Sequence, residues 1–405
     1  MKVAIIGAGL TGLVAANELK DYVQVKVFEA EEVGGLVSSY FNDSKGYHIE
    51  KFYHHCFKND FELLRLLKEL RLSSKLVWKT VKVGTAFDGK IFSLSTPFEI
   101  LRYPYLNLKE KVKLAMFTIK SRRKNYETFD DESAIDGLKK EVGEALLSKF
   151  FMPLLNAKFG ENAKDVSYAW LLARVAIRSN RKLKGEEIGY LRHGFWQIIE
   201  KLSEDIDIKK EKAKIEKSRG WVVNGEDFDA VVFTAPLNEL KINLNLPEVR
   251  YQSSICALIA LKNPISDVYW INSIGTTFGA VIEHTNFMPF EDYGENLLYL
   301  ASYTTPNSEF FMKDDKEILK IFLSDLKNFG VRDEDIAWSK VFKAKYSGPI
   351  YERGYSKKIT PYRVAKGFYI AGMTSKPNYP ERSMNGSIKA GKEVAEKLKK
   401  DLELD

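Results

Sequence analysis

Residues 2–35 read KVAIIGAGLTGLVAANELKDYVQVKVFEAEEVGG, and the order of residue types in this stretch decides the fold. Lys2–Ile6 is a short apolar run of strand type. Gly7, Gly9 and Gly12, with Ala8, Leu10 and Thr11 between them, give G-x-G-x-x-G at the mouth of a helical pattern carrying Leu13, Ala16 and Leu19. A second apolar strand, Val23–Phe28, ends in Glu29. Each glycine has a physical task in this order. Gly7 makes the tight turn, Gly9 lets the backbone approach a pyrophosphate, and Gly12 lets the helix close on the strand. The helix N-terminus then supplies N–H donors and positive dipole. Glu29 stands where a carboxylate accepts from a ribose 2′-OH and repels a 2′-phosphate. The stretch is a dinucleotide-binding strand–helix–strand unit.

Gly34-Gly35 follows Glu29 by five residues. Far downstream, Gly367–Gly372 is a strand ending in Ala371-Gly372. A Pro-containing loop, Lys376–Arg382, comes next, then a helical pattern from about Asn385 with Gly386, Ile388, Ala390, Gly391 and Ala395. Together these resemble the flavin amine oxidase, protoporphyrinogen oxidase and phytoene desaturase superfamily, over nearly the whole chain. The resemblance is sharpest in the first 60 and last 40 residues. Between them, Met152–Gly160 and Gly189–Trp196 look similar to protoporphyrinogen oxidase-like members. It implies non-covalent FAD, met near the pyrophosphate and ribose by the glycine loop with Ala30, Gly34, Gly35 and Leu36, and further on by Ala235, Gly372 and Met373. The helix beginning at Met384 and Asn385 would point at the flavin N1–C2=O and stabilise its reduced, anionic form. Two departures stand out. Many relatives place Arg where this chain has Leu36, and Asp or Glu where it has Met373, so FAD is expected to lean on backbone N–H groups and on Arg382, itself equally readable as a solvated loop charge. No Cys or His follows residue 284, which excludes a covalent cysteinyl flavin near the C-terminal motif. Lys343 and Lys345 are the nearest candidates for the lysine that amine oxidases hold beside flavin N5, though lysines there are more often surface residues.

A chain of 405 residues with 45% hydrophobic content has material for two domains. Cys56 and Cys256 are too few for a disulfide framework and suit a reducing, cytoplasmic compartment. The first strand begins at residue 2, so no signal peptide is expected, and no apolar run is long enough for a spanning helix. The net charge of +7 is scattered, without zinc-finger spacing or a basic tail, which argues against nucleic acid. No metal site is expected. The partner is then a small-molecule substrate.

The fold class expected is α/β: a glutathione-reductase-like, Rossmann-type FAD-binding domain with an interleaved α+β substrate domain. Residues 1–60, 186–245 and 346–405 would form the FAD domain. A largely helical insertion, 61–185, and a mixed, aromatic-rich segment, 246–345, would form the other.

The stretch Gly46–Phe57 holds His48, His54 and His55, three of the five histidines. Its spacing fits no tetrahedral metal site; ordinary strand and loop histidines are one alternative. By resemblance the segment passes along the flavin ring, and UDP-galactopyranose mutases carry a similar His-bearing stretch. Histidine there would steady flavin N5 or move a proton. Tyr53, His54 or His55 is therefore expected at the reactive edge, with Tyr351 and Arg353 opposite, because both segments lie one loop from the carboxyl ends of fingerprint strands.

Residues 108–124 put Leu108, Val112, Ala115, Met116 and Ile119 on one helical face and Lys109, Lys113, Lys120 and Arg123 on the other. This is an ordinary surface helix, a peripheral membrane contact feeding a lipophilic substrate, or an attractor of an anionic sugar nucleotide. The leading function is an oxidoreductase taking hydride from a C–N or C–C bond of an apolar or macrocyclic substrate. A redox-neutral sugar-nucleotide mutase and a flavin-fold scaffold without catalysis are the alternatives.

Overall fold

The computed structural model describes residues 1–177, 181–182 and 185–404. Residues 178–180, 183–184 and 405, which fall in the 61–185 and 346–405 blocks, lie outside them. A six-stranded sheet gathers strands from distant parts of the chain, in the order Asp207–Lys209, Gln24–Phe28, Lys2–Ile6, Ala230–Phe233, Phe368–Ile370, Arg363–Ala365. Every pair is parallel except the last. Val3, Ala4, Ile5, Val231 and Val232 are fully buried, the near-continuous apolar reading of strands covered on both faces. The fingerprint helix, Leu10–Leu19, packs against the closing helix, Met384–Asp401. Their approach is close: a β-carbon on Gly391 would lie 2.7 Å from the Thr11 carbonyl oxygen. The Thr11 hydroxyl donates to the Ser387 carbonyl across the same contact.

A seven-stranded sheet runs Ile336–Pro349, Tyr251–Leu261, Asn296–Thr304, Ala280–Glu283, Trp270–Ile274, Val83–Phe87, Lys90–Ser93. All its pairs are antiparallel except Trp270–Ile274 with Val83–Phe87. The insertion at 61–185 is largely helical, as expected; it also contributes two strands to this sheet, and Leu76–Val81 pairs with Gly185–Leu191.

The helix Leu108–Ser121 forms where the spacing predicts it, started by a capping box between Asn107 and Glu110. Phe117 and Ser121 are buried, as is Glu110, which pairs with Lys149 at 2.8 Å. Leu108, Val112, Met116 and Ile119 are 50–68% exposed. The helix has two apolar stripes, and the one carrying the aromatic ring wins the core.

Candidate functional site

The glycine loop sits at the carboxyl ends of the parallel strands. Gly7 has φ +104°, a conformation suited to glycine, and a β-carbon at Gly12 would fall 2.0 Å from the Gly7 carbonyl oxygen. Gly9 is the N-cap of the fingerprint helix and brings no side chain to its N–H donors, and a β-carbon built there meets nothing within 4 Å. Unfilled donors beneath open room make the place where an anion fits. Gly34 (φ +101°) donates its N–H to the Ala8 carbonyl and bridges Gly9, and Gly35 lies against the Gly9 Cα. The second glycine pair thus extends the cradle, flanked by exposed Ala30 and half-buried Leu36.

Glu29 accepts from the Ala8 N–H at 2.7 Å and the Glu31 N–H at 2.8 Å. Each oxygen keeps a lone pair for a ribose hydroxyl. Thr234, which the sequence did not single out, props the turn: its hydroxyl donates to the carbonyls of Ile6 and Gly7 at 2.9 and 3.1 Å. Ala235 and Gly372 meet there too, since a β-carbon on Gly7 would touch the Ala235 nitrogen and one on Gly372 the Thr234 oxygen. The residues present fit a dinucleotide.

The closing helix is capped by Ser383, whose hydroxyl accepts from the Gly386 N–H. Asn385 has another use than expected. Its side-chain oxygen accepts from the Glu62 and Leu63 N–H groups at 2.8 and 3.2 Å, capping the helix Phe61–Glu69. The preceding Asp60 makes no capping bond and accepts from the Phe57 N–H instead. Met384 packs against the core that holds Leu13, Val14 and Ile388, and Met373 against the one that holds Tyr251, Tyr351 and Tyr379.

The three neighbouring histidines separate. His48 stacks on Trp196 at 4.0 Å, in the hairpin Tyr47–Glu50. His55 lies 3.3 Å from the Tyr269 hydroxyl and edge-on to Trp270. His54 places Nδ1 2.6 Å from the Phe52 carbonyl; a carbonyl only accepts, so the proton is on Nδ1 and Nε2 is the acceptor. Burial, with Arg382 adding its charge, pushes His54 down to about 4, so the ring is neutral. Among the described residues no three His, Cys, Asp or Glu side chains are placed to hold a metal.

Tyr53 hydrogen-bonds the Tyr303 hydroxyl and meets the Trp270 ring edge-on at 5.0 Å. Burial holds its hydroxyl well above the usual range, with Tyr303 adding to the effect. Tyr53, His54, Tyr303, Arg174 and Arg382 are all half-buried, yet the charges of these groups reach one another. Side chains closed in by protein but still accessible line an interior recess. Arg174 pairs with Glu381 at 3.0 Å at its edge. The signal for Arg174 was present: it is the one charge in the otherwise apolar helix Tyr168–Ile177.

The expected partners opposite are not arranged as foreseen. Tyr351 is buried, donates to the Asn378 carbonyl and packs on Tyr355, so it buttresses the Glu381–Arg382 loop from behind. Arg353 is a correction. It is exposed, beside Asp131 and Asp136 in an outer hollow. The arginine near Tyr303 and His54 is Arg382. Lys343 donates to the Phe311 and Lys313 carbonyls, and Lys345 lies 3.9 Å from Glu239, so both are engaged at the edge strand.

Comparison with known proteins agrees with this architecture. The chain is similar to 15-cis-phytoene desaturase of Arabidopsis thaliana, 24% identical with 100% of this chain and 81% of that one covered. In fold it is similar to a protein of Exiguobacterium sp. 255-15 assigned as a protoporphyrinogen oxidase (TM-score 0.78, 18% identical, 99% of each chain). It is also similar to reduced UDP-galactopyranose mutase (TM-score 0.74, 17% identical, 98% of this chain and 95% of that one). Residues 10–399 match the family of flavin containing amine oxidoreductases. The chain belongs to that family and is an FAD-dependent oxidoreductase.

Proposed function

We propose that the enzyme holds FAD non-covalently and takes hydride from a C–N or C–C bond of an apolar or macrocyclic substrate. The observation that carries the reading is the aromatic cluster around Tyr53, the neighbour of His54 in the chain, which meets Trp270 and Tyr299 edge-on and hydrogen-bonds Tyr303. When bound, FAD supplies the hydride acceptor. The chain's part is to hold the pyrophosphate at Gly7–Gly12, to exclude water with the aromatic wall, and to take the released proton at His54 Nε2. Non-covalent attachment is supported by Cys256, which is buried with its thiol pushed up by desolvation.

An apolar substrate needs a route, and the exposed face of Leu108–Ser121 supports one. Phe98, Leu101, Tyr105, Leu108, Val112, Met116 and Ile119 are exposed together with Arg102, Lys109, Lys113 and Lys120. Each such large side chain gains about 1.5–3 kcal/mol on full burial. We assign this face to an anionic lipid surface, where the cations meet headgroups and the apolar residues enter the acyl boundary. The contact proposed is peripheral; no described helix is long and apolar enough to cross a membrane.

A second reading, a redox-neutral sugar-nucleotide mutase, is favoured by one observation, the cationic Arg382 beside Tyr303 and His54. Anaerobic mixing with porphyrinogens, polyenes, amines and UDP-sugars separates the two. Bleaching of oxidised flavin by one of the first three supports the oxidoreductase. Turnover of a UDP-sugar only after pre-reduction establishes the mutase and removes the first reading.

A further inference from the structure

Arg382 differs from the other cations around the recess. Arg174 is held by Glu381 at 3.0 Å, and Lys158 lies over the Tyr303 ring at 4.7 Å. Among the described residues no carboxylate or carbonyl pairs with Arg382. Its guanidinium lies along the main chain at Gly348, where a β-carbon would sit 2.7 Å from Nε. Glycine at 348 thus leaves the seat this side chain occupies. The group is half-buried, and its charge is felt by His54, Tyr303 and Tyr351. Arginine cannot shed its proton to escape the cost of such a place. Two carboxylates, Glu381 and Glu186, act on Arg174 in this cluster. A partly desolvated guanidinium without a partner is costly, and a carboxylate or phosphate on its fork is the complementary group.

We propose that Arg382, backed by Arg174 and Lys158, anchors an anionic group of the substrate, a carboxylate or a phosphate, at the mouth of the recess. This rests on the recess being the substrate site. It narrows the apolar substrate to an amphiphile with an apolar body and an anionic head. The same chemistry on a nucleoside diphosphate would serve the mutase reading, so the test contains both sources.

The holoenzyme, with FAD bound, is titrated with farnesyl diphosphate, palmitate, UDP and the neutral farnesol, following perturbation of the visible flavin spectrum. At least one anion should bind about tenfold or more tightly than farnesol. Arg382→Gln should weaken that anion by about 10–100-fold, the worth of a charged hydrogen-bonding pair, while farnesol binding and FAD content stay unchanged. Gly348→Ala, which fills the guanidinium's seat, should give the same selective loss if the first variant folds poorly. UDP outranking farnesyl diphosphate would place the anion on a nucleotide and still support Arg382 as its anchor. Equal binding of anionic and neutral probes overturns the proposal. So does release of FAD from Arg382→Gln, which would make Arg382 a cofactor residue. The oxidoreductase reading fails by a different measurement, the absence of flavin bleaching.

Discussion

A β-carbon placed on Gly12 would lie 2.0 Å from the carbonyl oxygen of Gly7, so the helix and the turn are in contact main chain to main chain. No side-chain rotation relieves such a clash, because both partners are backbone. Gly12→Ala is expected to open the turn at a cost of about 1–3 kcal/mol and to reduce FAD occupancy about tenfold or more. The ratio of flavin to protein absorbance in the purified variant checks this; full occupancy would contradict the packing described.

His54 offers an acceptor nitrogen to the recess while its other nitrogen is bound to the Phe52 carbonyl. Replacement by Gln should slow turnover by roughly 10²–10⁴-fold and leave the flavin spectrum intact. Loss of flavin instead would assign His54 to cofactor packing. Unchanged turnover would remove it from the chemistry.

The nucleotide cradle was legible because it is written in main-chain requirements. Positive φ at Gly7 and Gly34 and the clash at Gly12 leave glycine as the residue that fits, and an acid ending a strand is visible at Glu29. Four of the six strands of the parallel sheet, 2–6, 24–28, 230–233 and 368–370, were equally legible as short apolar runs. The recess was not, because its walls come from separate elements. Tyr303 is on a central strand, Arg174 on a helix, and Arg382 in a loop, and nothing local to any of them says that they face Tyr53. The topological expectation did not hold for Arg353, which is exposed beside Asp131 and Asp136.

Glu283 and His284 pull stability in opposite directions with pH. Burial raises the Glu283 carboxyl to about 7, Asp267 adding to it while Ser266 and the Ile265 N–H act against it. A raised folded-state pKa gives stability that is full below about 4.5 and is lost as pH rises through about 7. Burial lowers His284 to about 3 against a weak opposing effect of Asp292. Its stability is full above about 6.5 and is lost as pH falls toward 3. Glu283→Gln should flatten the alkaline limb of the stability profile, and His284→Gln the acid limb. Denaturant midpoints measured across this range test both signs, and a variant with the wild-type profile would contradict its assignment.

The exposed stripe on Leu108–Ser121 contributes nothing visible to the fold, so charges are tolerated there. Val112→Glu with Ile119→Glu should leave the melting temperature within a few degrees of wild type, in line with the small effects of surface substitution. Binding to vesicles containing phosphatidylserine should fall about tenfold or more. Unaltered vesicle binding would remove the stripe from membrane contact. A change from dimer to monomer on sedimentation would assign it to a second copy instead.

The purified protein, reconstituted with FAD if isolated without it, should show the visible spectrum of oxidised flavin at one equivalent per chain. Denaturation should release all of that colour into the supernatant, where it chromatographs as FAD. A chain that takes up no FAD on reconstitution, or one whose flavin stays with the precipitated polypeptide, would contradict the site built here from Gly7, Gly9, Gly12 and Glu29.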